Sequence, residues 1–195
     1  MSLGPRFDTV LSAAVAGDRT AFAELWRANH PMLLRYLRAV CGDSAEDVAS
    51  DTWLRAIAAL ASFHGDESGF RGWLVVIARN RARDLQRCEA RRRERLTADP
   101  VEDPRMWSAD SADLAIENRA TAAALRLVAG LPPDQAELVM LRVVVGLDVA
   151  DVAGITGRSP GSVRVAVHRA LKVLAGRIAP AVTHARPQTL GRRDV

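Results

Sequence analysis

Cysteine and histidine are scarce in this chain, which limits the chemistry that it can support. Of its 195 residues two are cysteines, Cys41 and Cys88, and four are scattered histidines. Two distant cysteines define no disulfide framework, and no spacing of His and Cys matches a zinc site. We therefore expect two reduced, mostly buried thiols, no bound metal and no cofactor.

Long apolar runs and several enzyme motifs are missing as well. No segment approaches the roughly 18 apolar residues of a membrane span, and the N-terminus lacks the charged and then apolar pattern of a signal peptide. The sequence contains no Gly-rich phosphate loop with a lysine and no recognisable pair of nucleophile and base. We expect a cytoplasmic protein with no membrane insertion that is not an enzyme by itself.

Lysine is nearly absent, because only Lys172 among the 27 basic residues is a lysine. We attribute this to a coding bias that also enriches alanine. The formal net charge of +4 is too small by itself to indicate a polyanionic partner. The distribution is more informative, since Arg79 to Arg95 holds eight arginines and three acids, a net charge of +5.

The segment from Phe70 to Arg95 contains no proline and predicts one long helix. Placing residues at intervals of 100° predicts a buried face formed by Phe70, Trp73, Leu74, Ile77, Ala78, Leu85 and Cys88. A neighbouring exposed stripe is formed by Val76, Asn80, Arg83 and Arg87. One helix therefore combines a core face with an amide and guanidinium groups that face solvent.

Amphipathic periodicity predicts three earlier helices. The first covers Phe7 to Ala16, and the second is capped by Thr20, interrupted at Pro31 and stopped at Gly42. The third begins at Ser44 and buries Val48, Trp53, Ala56, Ile57 and Leu60. Its first two turns carry Glu46, Asp47 and Asp51, where the helix dipole favours carboxylates. These acids could equally form a docking face for a basic partner.

The second half of the chain contains a helix-turn-helix pattern. Pro133 suits the first turn of a buried helix, Asp148 caps a short helix, Gly157 permits a tight turn, and Ser159 caps the last helix. That last helix buries Val163, Val167, Leu171 and Leu174. It exposes Ser162, Arg164, Val165, His168, Arg169 and Lys172. The exposed face suits contact with phosphates and base edges, although a solvated basic face is the alternative.

Together these patterns predict an all-α fold with two small helical domains, at residues 5–95 and 113–179. The segment 96–112 between them is acidic, contains two prolines and lacks helical periodicity, which predicts a flexible linker. Residues 180–195 are polar and aperiodic, which predicts a disordered tail.

Four segments, in this order, resemble the extracytoplasmic-function (ECF) type of bacterial RNA polymerase sigma factor. They are AEDVASDTWLRAIAAL, FRGWLVVIARNRARDLQRCEARRR, LPPDQAELVMLRVVVGLDVADVAG and SPGSVRVAVHRAL, and the resemblance covers about Ala21 to Ile178. It implies a subunit that binds core RNA polymerase, recognises the minus-thirty-five and minus-ten promoter elements and helps to melt the latter. Promoter DNA and an anti-sigma factor are the other partners that it implies.

The resemblance also implies roles for particular residues. Asp47, Ser50 and Asp51 would face the polymerase. Asn80 and the loop His64 to Gly69, which includes Asp66, would hold a base flipped out of the minus-ten duplex, while Arg79, Arg83 and Arg87 would follow the phosphates. Arg164, Val165, His168 and Arg169, with Ser162 and Lys172 on the same face, would contact the minus-thirty-five duplex. Ser50 replaces a longer amide of the family, and Val165 and Ala166 replace a hydroxyl and a basic residue.

Two other functions fit part of the pattern. A stand-alone helix-turn-helix regulator with an N-terminal sensing or dimerisation domain would bind DNA, but it would not need the acidic helix followed by the aromatic and basic helix. A nucleic-acid-modifying hydrolase would use Asp47, Asp51 and His64 as its catalytic groups.

Overall fold

The structure is a computed structural model that describes the backbone of residues 2–96 and 119–183, with the side chains of residues 2–92 and 121–177. Over these ranges the chain forms helices and turns and no strand, which agrees with the predicted all-α class. The α-helices are α1 (Phe7–Val15), α2 (Arg19–Cys41), α3 (Ala45–Ala59), α4 (Glu67–Leu96), α5 (Arg119–Ala129), α6 (Pro133–Val139), α7 (Val149–Thr156) and α8 (Pro160–Thr183).

The start of α2 differs from the prediction. Asp18, in an extended conformation, is its N-cap, and the Asp18 carboxylate accepts hydrogen bonds from the backbone N–H groups of Thr20 at 2.7 Å and Ala21 at 3.2 Å. The prediction that Thr20 is the N-cap was wrong, because Thr20 already lies inside the first turn of α2. Pro31 removes one backbone donor but does not divide α2, and Gly42 ends the helix as expected.

The local signals of the second half act as predicted. Pro133 lies in the first turn of α6, which continues as a π-helix over Met140–Val145. The Asp148 carboxylate caps α7 by accepting from the Asp151 N–H at 2.7 Å, and Ser159 accepts from the Ser162 N–H at 3.2 Å. Gly157 has a φ of +69°, a left-handed conformation that its missing Cβ makes accessible. The helices α7 and α8 therefore form the predicted helix-turn-helix.

The last helix extends beyond the predicted end of the second domain at residue 179. The helix α8 includes 180–183, so the beginning of the predicted tail is helical. The predicted linker, apart from its first residue, and the rest of the tail lie outside the described residues.

The buried side chains of both halves form one continuous hydrophobic cluster. The helix α2 contacts α1, α3 and α4 of the first half, and it also contacts α5, α6 and the π-helix of the second half. Tyr36, Phe70, Leu74, Met140 and Leu147 are among the most deeply buried side chains. The two predicted domains therefore pack against each other, an arrangement called the closed arrangement below.

Three residues that were predicted to be buried are exposed. Ile57 on α3 and Leu171 on α8 are 50% and 42% exposed, and Cys88 is exposed as well. Helical periodicity identifies an apolar face, but neighbouring helices cover only part of its width. Cys41 is half-buried and donates to the Leu37 carbonyl oxygen at 3.2 Å, and burial raises the pKa of its thiol to about 12.

In the part of the chain that the structure describes, no helix combines the length and the apolar character needed to cross a bilayer.

Candidate nucleic-acid interface

The predicted stripe of α4 is exposed along its whole length. Val76, Asn80, Arg83 and Arg87 all face solvent, whereas Leu74, Ala78 and Ala82 are fully buried on the opposite side. The guanidinium of Arg87 donates to the Asp84 carboxylate at 3.0 Å and to the Arg83 carbonyl oxygen at 3.3 Å. The stripe thus presents an amide followed by two guanidinium groups, which is a suitable surface for a nucleic-acid strand.

The loop His64 to Gly69, which leads into α4, is held by contacts at both of its ends. The Asp66 carboxylate accepts from the Gly69 N–H at 2.7 Å and so caps α4. At the other end the Phe63 ring packs edge to face on Phe70, with ring centroids 5.2 Å apart, and lies 5.3 Å from the Trp73 ring. His64 is exposed, and its Nδ1 lies 2.9 Å from the Ser62 carbonyl oxygen.

The structure does not bring all the predicted minus-ten residues together. From the rise of an α-helix, Asp66 lies about 21 Å from Asn80 along the axis of α4. The Phe63 end of the loop folds back to Trp73, which is only about 10 Å from Asn80 along the same axis. The Phe63 ring therefore lies nearer to Asn80 along this axis than Asp66 does.

Arg79 lies next to Asn80 but points to the second domain. It is 7% exposed, and its Nε donates to Oε1 of Glu137 at 2.6 Å. A second guanidinium nitrogen donates to Oε2 at 3.4 Å, and the third donates to the Ile155 carbonyl oxygen at 2.7 Å. In the closed arrangement Arg79 is therefore engaged by α6 and α7 and is not presented with the stripe.

Tyr36 joins the same contact between the domains. Its hydroxyl donates to Oε1 of Glu137 at 3.3 Å. Burial, followed by the nearby Glu137 carboxylate, raises the pKa of Tyr36 above its ordinary value. The sequence did not predict the contact of Glu137 with the first domain, because Glu137 is a single acid within an amphipathic helix.

The acidic face of α3 is partly exposed. Asp47 and Ser50 face solvent, and Asp51 forms an ion pair with Arg81 of α4. Leu54 and Ile57, which are 66% and 50% exposed, extend this face beyond the acids. Arg81 had no explanation in the sequence, and its contact with Asp51 shows that it links α3 to α4. The face combines carboxylates, a hydroxyl and an apolar end.

The contacts of the acids and histidine do not assemble the hydrolase site. Asp51 is paired with Arg81, and His64 lies against the Ser62 carbonyl oxygen. Among the described residues no group of three or more His, Cys, Asp and Glu side chains is placed to hold a metal ion.

The outer face of α8 carries the predicted minus-thirty-five residues. All six are exposed, namely Ser162, Arg164, Val165, His168, Arg169 and Lys172. Val163, Ala170 and Leu174 bury the opposite face of the helix. Because α7 and the tight turn hold the N-terminal end of α8, its first exposed side chains are positioned as in a helix that enters a major groove.

Family models match both domains of the chain. The model described as Sigma-70 region 2 matches residues 25–92, and the one described as Sigma-70, region 4 matches residues 121–174. Two helical domains with these regions in this order define a bacterial RNA polymerase sigma factor.

Individual relatives narrow the assignment. The ECF RNA polymerase sigma factor SigD of Mycobacterium tuberculosis (strain ATCC 25618 / H37Rv) is 38% identical over 191 residues, covering 93% of this chain and 88% of SigD. The ECF RNA polymerase sigma factor ShbA of Streptomyces griseus is also 38% identical, covering 83% of this chain and 89% of ShbA. The chain therefore belongs to the ECF sigma factors, whose members bind core RNA polymerase and direct it to promoters.

The fold agrees with a solved member of the family. The sigma factor RpoE of Bartonella quintana, in complex with the anti-sigma factor NepR, matches with a TM-score of 0.61 and 24% identity. The match covers 85% of this chain and 98% of RpoE. As a transcription initiation factor the protein recognises promoters, and these findings do not favour a stand-alone regulator.

Proposed function

We propose that α4 reads the minus-ten element, that α8 reads the minus-thirty-five element, and that α3 docks on the polymerase. The observation that carries this proposal is the exposure of Asn80 within the cationic stripe of α4. An amide has both a donor and an acceptor, so it can recognise a base edge, whereas the guanidinium groups of Arg83 and Arg87 have donors only and suit phosphate oxygens.

At the minus-ten element, Asn80 selects one unpaired base. Flipping a base out of a duplex costs a few kcal/mol, so a receiving surface must already be in place. The Phe63 ring packs against Trp73, about two turns before Asn80 on α4, so the receiving pocket is placed between this end of the loop, which includes His64, and Asn80. Arg83 and Arg87 then follow the phosphates of the strand. Asp66 has a different role in this proposal, because its carboxylate caps α4.

At the minus-thirty-five element, Arg164 donates to a guanine or a phosphate near the start of α8. Val165 is 49% exposed, and an apolar side chain at this position suits the methyl group of thymine. His168, Arg169 and Lys172 continue along the same face towards the DNA backbone.

The polymerase contact uses the outer face of α3. Asp47, Ser50 and Asp51 supply its polar part, and the exposed Leu54 and Ile57 supply apolar area that can be buried. Ser50 is shorter than an amide, so the apolar end of the face contributes a larger share of the binding.

Reading both elements requires the closed arrangement to open. The elements lie about 25 base pairs apart, which is roughly 85 Å of duplex at 3.4 Å per base pair. A compact chain of this length has a radius of gyration of about 16 Å and a diameter of roughly 40 Å. The two reading surfaces can therefore reach their elements only after the domains separate, which also frees Arg79 from Glu137.

The remaining partners follow the family. An anti-sigma factor is expected to bind this protein, as NepR binds RpoE of Bartonella quintana. The protein acts in the cytoplasm, where the polymerase is found, and the polymerase supplies the catalysis of RNA synthesis.

The experiment that tests this proposal is in-vitro transcription with core polymerase over a randomised promoter library. Asn80→Ala is expected to change the preferred base at one minus-ten position. Arg83→Ala is expected to weaken all promoters alike and to lower the slope of log affinity against log salt by about one unit. The control is Arg19→Ala, which removes an exposed arginine from α2 and should change neither property. If Asn80→Ala and Arg83→Ala behave alike, α4 is only a basic patch.

A further inference from the structure

A cluster of contacts at the start of α4 connects residues 2–4, called the N-terminal segment below, to the loop His64 to Gly69. The Glu67 carboxylate accepts hydrogen bonds from the Ser2 hydroxyl at 2.7 Å and from the backbone N–H groups of Leu3 at 2.9 Å and Gly4 at 2.8 Å. Arg71 donates to the same carboxylate at 2.9 Å. The Glu67 side chain is 12% exposed. One carboxylate thus fastens residues 2–4 to the C-terminal end of the loop.

The backbone of the N-terminal segment is shaped for this contact. Leu3 is in the right-handed helical region, and Gly4 has a φ of +56°. A right-handed residue followed by a left-handed one directs successive N–H groups towards one anion. A Cβ at Gly4 would meet nothing within 4 Å, so glycine is required there by the backbone conformation and not by space.

A second contact joins the same segment to the other end of the loop. The Phe7 ring lies 5.8 Å from the Phe70 ring, and Phe63 packs on the same Phe70. The N-terminal residues therefore support the loop from both sides, through Glu67 at its C-terminal end and through the aromatic cluster at its N-terminal end.

The Glu67 contact does not depend on pH under physiological conditions. Burial by itself would raise the pKa of Glu67, but hydrogen bonds from Ser2, Leu3, Arg71 and Gly4 outweigh it and lower the pKa to about 2. The carboxylate is therefore ionised, and each donor bonds to a charged acceptor.

We propose that Glu67 is a positioning residue for promoter recognition. It holds residues 2–4 against the loop His64 to Gly69 and so keeps the loop in the conformation that receives the base beside Asn80. A loop that is ordered in advance spends no conformational entropy when the base arrives. This inference rests on the proposed role of Asn80.

The test compares Glu67→Gln with the unchanged chain in two measurements on the full-length protein. Hydrogen exchange of the amides of residues 3, 4 and 64–69 is expected to be at least tenfold faster in the variant. In transcription with core polymerase, the ratio between the preferred and the disfavoured base at the position read by Asn80 is expected to fall about fivefold. Transcription from the preferred promoter at saturating protein should stay within about twofold.

The matched control is Glu89→Gln, which removes the same charge from an exposed position farther along α4. It should leave the base ratio and the exchange of the loop unchanged. Ser2→Ala and Gly4→Ala weaken the contact from the donor side without altering Glu67. Each should also lower the ratio between the preferred and the disfavoured base. If the contact acts as a unit, Glu67→Gln combined with Ser2→Ala should lose no more selectivity than Glu67→Gln alone.

The outcomes separate this inference from the proposal on which it rests. If the unchanged protein shows no base preference that Asn80→Ala removes, the role of Asn80 is wrong, and the inference is wrong with it. If that preference exists and Glu67→Gln keeps it despite faster exchange in the loop, only the positioning role is overturned. An equal loss of preference in Glu89→Gln would also overturn it. Should Glu67→Gln fail to fold, Ser2→Ala and Gly4→Ala decide the question by the same ratio.

Discussion

The carboxylates of Glu67 and Glu137 both accept hydrogen bonds from donors that are distant in the chain, but the two contacts join different parts of the molecule. Glu67 accepts from a hydroxyl and two backbone N–H groups of residues 2–4, which immediately precede the first domain. Glu137 accepts from the side chains of Arg79 and Tyr36 and so joins the second domain to the first. One contact holds a loop, and the other holds two domains together.

The kind of donor determines whether a contact can be exchanged. The N–H groups of Leu3 and Gly4 belong to the backbone and cannot turn towards a phosphate as a long side chain can, so the contact at Glu67 is expected to persist through promoter binding. The Arg79 guanidinium can leave one carboxylate for a phosphate, which offers it a similar geometry. Glu137 therefore suits a contact that opens, and Glu67 suits one that remains closed.

Removing Glu137 is expected to have the largest effect. Glu137→Ala leaves the buried Arg79 without its carboxylate, and breaking a buried ion pair costs about 3–5 kcal/mol. Separation of the domains relieves this cost by exposing Arg79 to water. We expect the radius of gyration of the free chain, measured by small-angle X-ray scattering, to rise clearly above about 16 Å while the helical signal is kept.

The control for this prediction is Glu24→Ala, which breaks an ion pair with the exposed Arg6. Exposed pairs contribute about 0–1 kcal/mol, so this variant should keep the dimensions of the unchanged chain. A compact Glu137→Ala protein would show that the contact between the domains does not depend on Glu137.

Removing Glu67 should have an intermediate effect that depends on acid. Glu67→Gln takes the charged acceptor away from two partly buried donors, Leu3 and Arg71, and from the exposed Ser2 and Gly4, and it should cost about 1–3 kcal/mol of unfolding free energy at pH 7. Because the pKa of Glu67 is lowered from 4.5 to about 2, its contribution is complete above pH 4.5 and is lost as the pH falls towards 2. Urea unfolding at several pH values should show the two proteins converging over this range. A constant difference between them would contradict the low pKa.

His30 should have the smallest effect, in a pH range above the one in which Glu67 titrates. Its Nδ1 accepts from Nε1 of Trp53 at 3.2 Å, and its ring stacks on Trp26 with centroids 4.3 Å apart. Burial lowers the pKa of His30 below 6.5, against the opposing influence of Glu46 and with a smaller contribution from Arg38.

The sign of the pH effect follows from that lowered pKa. The unfolded chain binds a proton at His30 below pH 6.5 before the folded chain does, so unfolding free energy should decrease as the pH falls below 6.5. His30→Gln should flatten this slope without changing the Glu67-dependent loss at lower pH. Titration of the His30 ring followed by NMR checks the direction, and a midpoint at or above 6.5 would refute it.

Much of the fold follows from local signals in the sequence. Asp148, Gly157 and Ser159 act at the helix ends where their chemistry places them, since caps and turns depend on a few neighbouring residues. The period of α4 separates its buried face from the exposed stripe that contains Asn80 and Arg83. The order of the four family segments identified the class of protein.

The tertiary structure decided what periodicity could not. Arg79 and Arg83 lie one turn apart on α4 and have the same side chain, yet the first is buried against Glu137 and the second faces solvent. Only the approach of the second domain makes this difference. The pairs of Arg81 with Asp51 and of Glu67 with residues 2–4 also join distant segments. The sequence by itself determined the helices and their apolar faces, because those depend on neighbouring residues, whereas the partners of individual charges depend on which helices meet.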